Sequence, residues 1–345
     1  MKQIVVLAAA LVALLSVSSL AQSGRRPPTP PPGEKQDQQK GEKEQDEVVS
    51  LETTEVVVPV TVRDRYGHLI RGLSRGDFRV YDEGVQQEIT DFTIGTLPVN
   101  LVMLIDVSGS VSTEINDIRL SALALINALG PKDRVSIIRF NHKVEQVLDW
   151  ETDKLRLQRA LLQLPAVGST AFFKALYIAA NKLKTVDGRR AIILLTDGVD
   201  TYQGQDQRTF EDAFEAVRKA EAMVYVMSKT KAIRNYLRGE RSPFIFRPLD
   251  PRDPYIQFWI QSLDQAEELL IHLAEKTGGR IYFPLEQSEL RDAYSQIAEE
   301  LSTQYVIRYV PKERTRDGRF RRIRVMTGNP AYIASAREGY YTPKK

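Results

Sequence analysis

The sequence predicts an α/β protein: a doubly wound, mostly parallel sheet inserted in a small β-sandwich built from the N- and C-terminal flanks. Three observations carry this. Between about Val99 and Thr303, apolar strand-like runs alternate with segments of helical period, the order that puts helices on both faces of a parallel sheet. The run Leu101–Ile105 is short and wholly apolar, as a strand covered on both sides has to be. On either side, Leu51–Leu97 and Thr303–Lys345 alternate residue by residue, and each is too short to bury a core by itself.

Taken in order, residues 1–21 read as a secretory signal peptide: Lys2, an apolar stretch from Ile4 to Leu15, then Ser19-Leu20-Ala21 offered for cleavage. The stretch is shorter than the ~20 residues a membrane span needs. No later stretch suits a bilayer, so no transmembrane segment is expected after cleavage. Residues 22–50 open with Pro-Pro-Thr-Pro-Pro-Pro and continue in Gln, Glu, Lys and Asp, with so little to bury that a disordered tether is expected. The chain has no cysteine. That excludes disulfides, thiolate metal sites and a lipid-modified cysteine, and an extracytoplasmic chain without disulfides must rely on ordinary cores.

Residues 51–97 form the first half of the sandwich. Val58, Val60 and Val62 alternate, Asp64-Arg65-Tyr66-Gly67 turns the chain, and Phe78–Tyr81 and Ile89–Ile94 are further strands. Pro59 has no N–H to give, so its strand is expected at an edge. In residues 98–303, strands are expected at 100–106, 134–140, 190–196, 223–227 and 280–283, with an antiparallel edge strand at 144–149. Helices are expected at 113–129, 153–163, 171–184, 208–221, 264–276 and 288–301, with Gly130, Gly188 and Gly278-Gly279 near their ends. Lys229–Ser262 fits neither pattern and reads as a long loop rich in aromatics and arginines. Tyr236, Phe258 and Trp259 there either form a partner-binding rim or pack on neighbouring helices. In residues 304–345, Tyr305, Ile307 and Tyr309, then Arg322–Val325, alternate about a turn at Asp317-Gly318. The last helix runs almost directly into the strand at Tyr305, so it meets the sandwich through either a rigid junction or a coupled one.

The chemistry gathers at strand ends. Leu101–Ile105 stops at Asp106-Val107-Ser108-Gly109-Ser110, the carboxyl mouth of a buried strand, where open α/β sheets bind their ligands. A carboxylate with two hydroxyls suits a hard divalent cation, and the same residues also suit the cap of the next helix. Two further stretches resemble this one in setting. Gly168-Ser169-Thr170 precedes a helical pattern, and Ala191–Gly198 is a second apolar strand, ending in Asp197.

With these three stretches, the sequence resembles the von Willebrand factor type A family over about Val99–Thr303. That family's metal-ion-dependent adhesion site is written Asp-x-Ser-x-Ser, then Thr, then Asp, and Asp106, Ser108, Ser110, Thr170 and Asp197 match it in order. The resemblance implies magnesium or manganese bound directly by Ser108, Ser110 and Thr170, and largely through water by Asp106 and Asp197. It also implies a partner protein whose Glu or Asp carboxylate completes the shell. The flanks, with Val62-Arg63-Asp64-Arg65-Tyr66-Gly67 and Arg337-Glu338-Gly339-Tyr340, resemble bacterial secreted proteins related to the same family, which implies a periplasmic or secreted protein.

Charge and the remaining side chains narrow the function. The chain has 48 basic and 45 acidic residues, but Thr303–Lys345 carries eleven basic against three acidic. Arg319, Arg321, Arg322 and Arg324 there either face an anionic envelope polymer or guard a solvated strand. No nucleic-acid module stands out. Only His68, His142 and His272 exist, no nucleophile–histidine–acid set is present, and no glycine-rich phosphate loop occurs. A non-enzymatic, metal-dependent protein-binding module of adhesion type is therefore expected. A structural or assembly subunit of an envelope complex, its metal mainly stabilising the fold, is the alternative. A metal-dependent hydrolase is the least favoured.

Overall fold

The computed structural model describes residues 55–95, 97–108, 115–162, 170–239 and 250–344. The expected signal peptide and tether, Ser110, and Gly168-Ser169 lie outside the described residues.

The chain opens in β structure: β1 (Val56–Asp64), β2 (Phe78–Asp82), β3 (Val85–Gln87) and β4 (Ile89–Ile94). Glu83 and Gly84 join β2 to β3 with φ of 48° and 80°, the two-residue turn whose twist matches that of paired strands. The α/β part follows as β5 (Val99–Asp106), α1 (Ile115–Ala128), β6 (Arg134–Phe140), β7 (Val144–Glu151), α2 (Lys154–Leu162), α3 (Phe172–Lys184) and β8 (Arg189–Thr196). It continues with α4 (Phe210–Ala220), β9 (Met223–Ser228), α5 (Thr230–Leu237), α6 (Pro254–Lys276), β10 (Arg280–Tyr282) and α7 (Gln287–Thr303). The chain closes with β11 (Tyr305–Tyr309), β12 (Phe320–Thr327), β13 (Tyr332–Ser335) and β14 (Gly339–Tyr341).

Six strands of the α/β part form one sheet in the order β10-β9-β8-β5-β6-β7. All neighbours pair in parallel except β7, which runs antiparallel to β6 at the edge. Every residue of β5 is buried. Leu101, Met103 and Ile105 face a core shared with α1, α2 and α7, while Val102 and Leu104 face a second core shared with α3, α4 and α6. The period-2 alternation of a strand thus serves two helical layers, which is why Leu101–Ile105 is apolar at every position.

The flanks interleave. One four-stranded sheet has the order β13-β1-β11-β4 and the other β14-β12-β2-β3, all antiparallel. Val58, Val60 and Phe78 of the first flank share a core with Ile307, Tyr309 and Val325 of the second. At the centre, the fully buried Asp82 accepts from Arg321 Nε (2.8 Å), Tyr309 Oη (3.0 Å) and Tyr340 Oη (2.9 Å). The strand holding Pro59 is not an edge strand: β1 lies between β11 and β13. Because β13 covers only Thr61–Asp64, the half that contains Pro59 is paired on one side alone, as an edge strand would be.

A second expectation fails at Lys229–Ser262. The segment contains α5 and the first turns of α6 rather than an unbroken loop. Pro254, which reads as a breaker, stands at the first position of α6, where its fixed φ helps and its absent N–H is not missed. The Asp253 side chain caps that start by accepting from the Tyr255 N–H at 2.8 Å. Ile256, Ile260 and Leu263 then recur on one buried face.

One buried side chain ties the crossings between the two parts. Arg189, at the start of β8, donates from Nε to the Leu97 carbonyl (2.6 Å) and from Nη1 to the Leu301 carbonyl and to Gln304 Oε1 (3.2 Å). Arg63 of β1 and Glu300 of α7 form a buried ion pair beside it, and Arg71 pairs with Glu299 at the surface.

Candidate metal centre

The carboxyl ends of β5 and β8 lie side by side because the two strands pair directly. Asp106 ends β5 with no exposure, and Asp197 follows β8 at 8% exposure. Asp106 is held on both oxygens. The Ser108 N–H donates to Oδ1 (2.8 Å) and the Thr196 hydroxyl donates to Oδ2 (3.1 Å). The Gly198 N–H in turn donates to Thr196 Oγ1 (2.9 Å), so the hydroxyl's own proton is directed at the carboxylate.

Three loops converge at this rim. The Val107 N–H donates to the Phe140 carbonyl (2.8 Å), and the Ala171 N–H to the Asn141 carbonyl (2.7 Å), which brings Thr170 to the end of β6. Thr170 and Thr201 are stitched twice. The Thr201 N–H donates to the Thr170 carbonyl, and the Thr170 N–H to Thr201 Oγ1, both at 3.0 Å. Asp200 accepts from the Phe173 N–H (2.8 Å), so it holds the first turn of α3 against this loop. Burial pushes its carboxyl above the usual range despite that bond. Ser108 and Thr170 are both buried, at 2% and 5% exposure.

The electrostatics follow from this packing. Burial first, then the neighbouring Asp197 charge, pushes the Asp106 carboxyl up to about 7. Two buried carboxylates this close repel each other, and a cation between them removes the cost. Among the described residues no group of three or more His, Cys, Asp or Glu side chains is placed to hold a metal ion. A metal here would therefore be held by two carboxylates and hydroxyls, an oxygen-only donor set that fits a hard ion such as magnesium. Asp106, Ser108, Thr170 and Asp197 stand on the converging loops.

Two rim residues had no role in the sequence reading. Thr196 looks like the polar end of an apolar run, and only the pairing of β5 with β8 shows that its hydroxyl meets Asp106. Lys229 follows β9 and is 4% exposed; a lysine standing directly after a buried strand was its one signal. His272, by contrast, packs against the Phe214 ring at 5.1 Å.

The aromatics of α5 and α6 rise beside this rim. A Cβ on Gly198, whose φ is +76°, would stand 2.7 Å from Leu270 Cδ1 and 3.3 Å from the Ala266 Cβ, so that turn of α6 lies level with Asp197. The turns before Ala266 extend ~18 Å further at 1.5 Å per residue. Tyr255 (66% exposed) and Phe258 (61%) stand on them, each edge-on to Trp259 at about 6 Å. Tyr236 of α5 is also exposed. Arg234 fastens the two helices together by pairing with Asp264 and Glu267.

Residues 101–199 match the sequence profile of the von Willebrand factor type A domain. An uncharacterized protein of Synechocystis, sll0103, is 31% identical over 118 residues, 32% of this chain and 28% of that protein's length. The chain thus matches well under a third of that relative. Among solved structures, a von Willebrand factor type A protein from Catenulispora acidiphila is similar at 12% identity and a TM-score of 0.43, over 84% of this chain and 74% of that one. The pilus adhesin SpaC from Lactobacillus rhamnosus GG is similar at 10% identity and a TM-score of 0.45, over 79% and 49%. No helix among the described residues is long and apolar enough to cross a membrane.

Proposed function

We propose that this protein is a non-enzymatic, extracytoplasmic binding module of adhesion type. In this reading Asp106, Ser108, Ser110, Thr170 and Asp197 hold magnesium or manganese, and a Glu or Asp side chain of a partner protein completes the shell. The observation that carries the proposal is the convergence of three loops on one rim with oxygen donors only, two of them buried carboxylates on adjacent strands. A bound divalent ion supplies an electrophilic point whose charge the two carboxylates roughly cancel, leaving it able to accept an anionic oxygen. The chain's own residues fix the donors. Thr196 and the Ser108 N–H orient Asp106, and the Thr170–Thr201 stitch sets the height of the Thr170 hydroxyl.

The projection of α5 and α6 supplies a second contact. Exposed Tyr236 and Phe258, and the half-buried Trp259, offer rigid aromatic area on the helices that rise past the rim. A groove beside them is lined by Pro254, Gln257, Phe258, Ile260, Gln261 and Asp264. Of the four arginines an anionic polymer could hold, Arg321 points inward to Asp82, while Arg319, Arg322 and Arg324 are exposed.

Calorimetric titration of manganese and magnesium into wild type and Asp106→Ala tests the centre. Binding is expected for wild type and its loss for the variant, with the tryptophan-monitored melt little changed. Equal affinities would remove Asp106 from the site. Phe258→Ala with Trp259→Ala is expected to weaken retention of an envelope partner while leaving metal affinity intact. The assembly-subunit reading draws on the buried Arg189 and Glu300 ties, and it predicts a melting temperature that rises with metal but no metal-dependent retention.

A further inference from the structure

Lys229 stands where the capture reaction has no use for it. It is the first residue past β9, and its N–H donates to the Thr196 carbonyl at 3.1 Å. Thr196 is the residue whose hydroxyl donates to Asp106. The β8–β9 register sets Thr196 opposite Ser228, so Lys229 and Asp197 leave adjacent strands at the same height. A lysine at a sheet rim ordinarily runs its stem along apolar surface and carries its ammonium to water. This one is 4% exposed. Its backbone is bonded to Thr196, the residue next to Asp197 and hydrogen-bonded to Asp106, and the Asp106 charge acts on its ammonium. A buried ammonium is costly unless an anion compensates it, and the pair Asp106 and Asp197 carries an excess of negative charge.

We propose that Lys229 is the resident counter-ion of the Asp106–Asp197 pair and sets how strongly a divalent cation binds there. The proposal rests on the reading of that pair as a metal centre. With both carboxylates ionised, the pair presents a charge of −2 to an arriving ion, and a fixed ammonium beside it reduces this to −1. The same ammonium repels the cation at short range in a poorly solvated rim, where screening by salt is weak. With no metal, Lys229 keeps two buried carboxylates tolerable. With metal, its charge opposes the ion, so affinity is held down and occupancy follows the free cation concentration. The lysine reaches the rim from β9, whereas the donors stand on the loops after β5 and β8 and at Thr170. It therefore tunes the ion without contributing to its shell.

The test is calorimetric titration of manganese into the full chain as wild type, Lys229→Met and Lys229→Arg, together with thermal melting in chelator and in manganese. Lys229→Met is expected to bind at least tenfold more tightly than wild type. Lys229→Arg, which keeps the charge, is expected to stay within about threefold of it. In chelator Lys229→Met should melt below wild type, and manganese should raise its melting temperature by more. Equal or weaker binding by Lys229→Met overturns the proposal and leaves the metal centre standing. Binding by neither protein overturns both. If Lys229→Met fails to fold in chelator, recovery on refolding with manganese supports the proposal, and no recovery beside a metal-binding wild type overturns it.

Discussion

Replacing Asp82 with alanine separates the two parts of the molecule experimentally. Asp82 belongs to the N-terminal flank and its three donors to the C-terminal flank, 227, 239 and 258 residues further on. The truncation leaves Arg321, 7% exposed, with only Glu313 at 3.4 Å as its remaining acidic partner. It also leaves the Tyr309 and Tyr340 hydroxyls without the acceptor they now share. Removing one partner of a buried ion pair costs ~3–5 kcal/mol, and an orphaned hydroxyl costs ~1–3 kcal/mol. These terms overlap, because the groups form one network, so ~4–6 kcal/mol is the expected total. A whole domain has ~5–15 kcal/mol to lose.

The assay exploits the position of the tryptophans. Trp150 and Trp259, the only two in the chain, both lie in the α/β part. Tryptophan fluorescence in urea therefore follows that part, and amide exchange at Val56–Asp64 and Tyr305–Tyr309 follows the sandwich. In Asp82→Ala those amides should exchange about a thousand- to ten-thousandfold faster, since each 1.4 kcal/mol is worth about tenfold. The fluorescence transition should move much less. Wild-type exchange rates in β1 and β11 of the variant would refute the shared network as a source of stability.

Three further outcomes follow from the same packing. Arg189→Met removes donors to Leu97, Leu301 and Gln304 and should destabilise the chain by about 3 kcal/mol, read as faster exchange at Val99 and at Gln304–Ile307. Burial first and the nearby Asp82 second raise the Tyr309 and Tyr340 phenols above their ordinary value. The folded state therefore holds protons that the unfolded state loses above about pH 10, and stability should fall by up to ~1.4 kcal/mol per pH unit for each tyrosine. Urea midpoints of wild type and Tyr340→Phe between pH 9 and 11 check this: the variant should show the shallower decline. Gly279→Ala should prevent proper seating of β10, because a Cβ there would run into the Val224 carbonyl; its soluble yield and melt, compared with wild type, check it.

Much of the α/β part was legible because its signals are local. Leu101–Ile105 is apolar at every position since each of its faces is covered by helices, and Asp106 and Asp197 announce the ends of two such strands. The sheet order could not be read, because nothing within one strand names its neighbour. The roles of Thr196 and Lys229 depend on that order, so they stayed hidden. At Lys229–Ser262, the prolines and the aromatic content masked a helix whose cap, Asp253 with Pro254, is a start signal rather than a break. In the flanks the alternation of Val58, Val60 and Val62 was plain. The position of β11 between β1 and β4 was not, since it joins segments some 250 residues apart.

The junction between α7 and the sandwich decides how the two parts share a load. Gln304 alone separates the helix from β11, and the Gly95 N–H donates to its carbonyl at 2.8 Å. A Cβ on Gly95 would run into the Ser302 carbonyl, so the backbones touch there. Glu300, 1% exposed, is paired with Arg63 of β1 and lies 3.7 Å from Arg280 of β10. Sliding the end of α7 along the sheet would draw Glu300 away from both arginines and pull Leu301 off Arg189. Breaking one such buried pair costs ~3–5 kcal/mol, while coupling between distant sites typically amounts to ~1–3 kcal/mol. The rigid joint is therefore the expected outcome: amide exchange across residues 289–305 should stay unchanged when manganese and a carboxylate are added, and faster or slower exchange in that helix would establish the coupled junction instead.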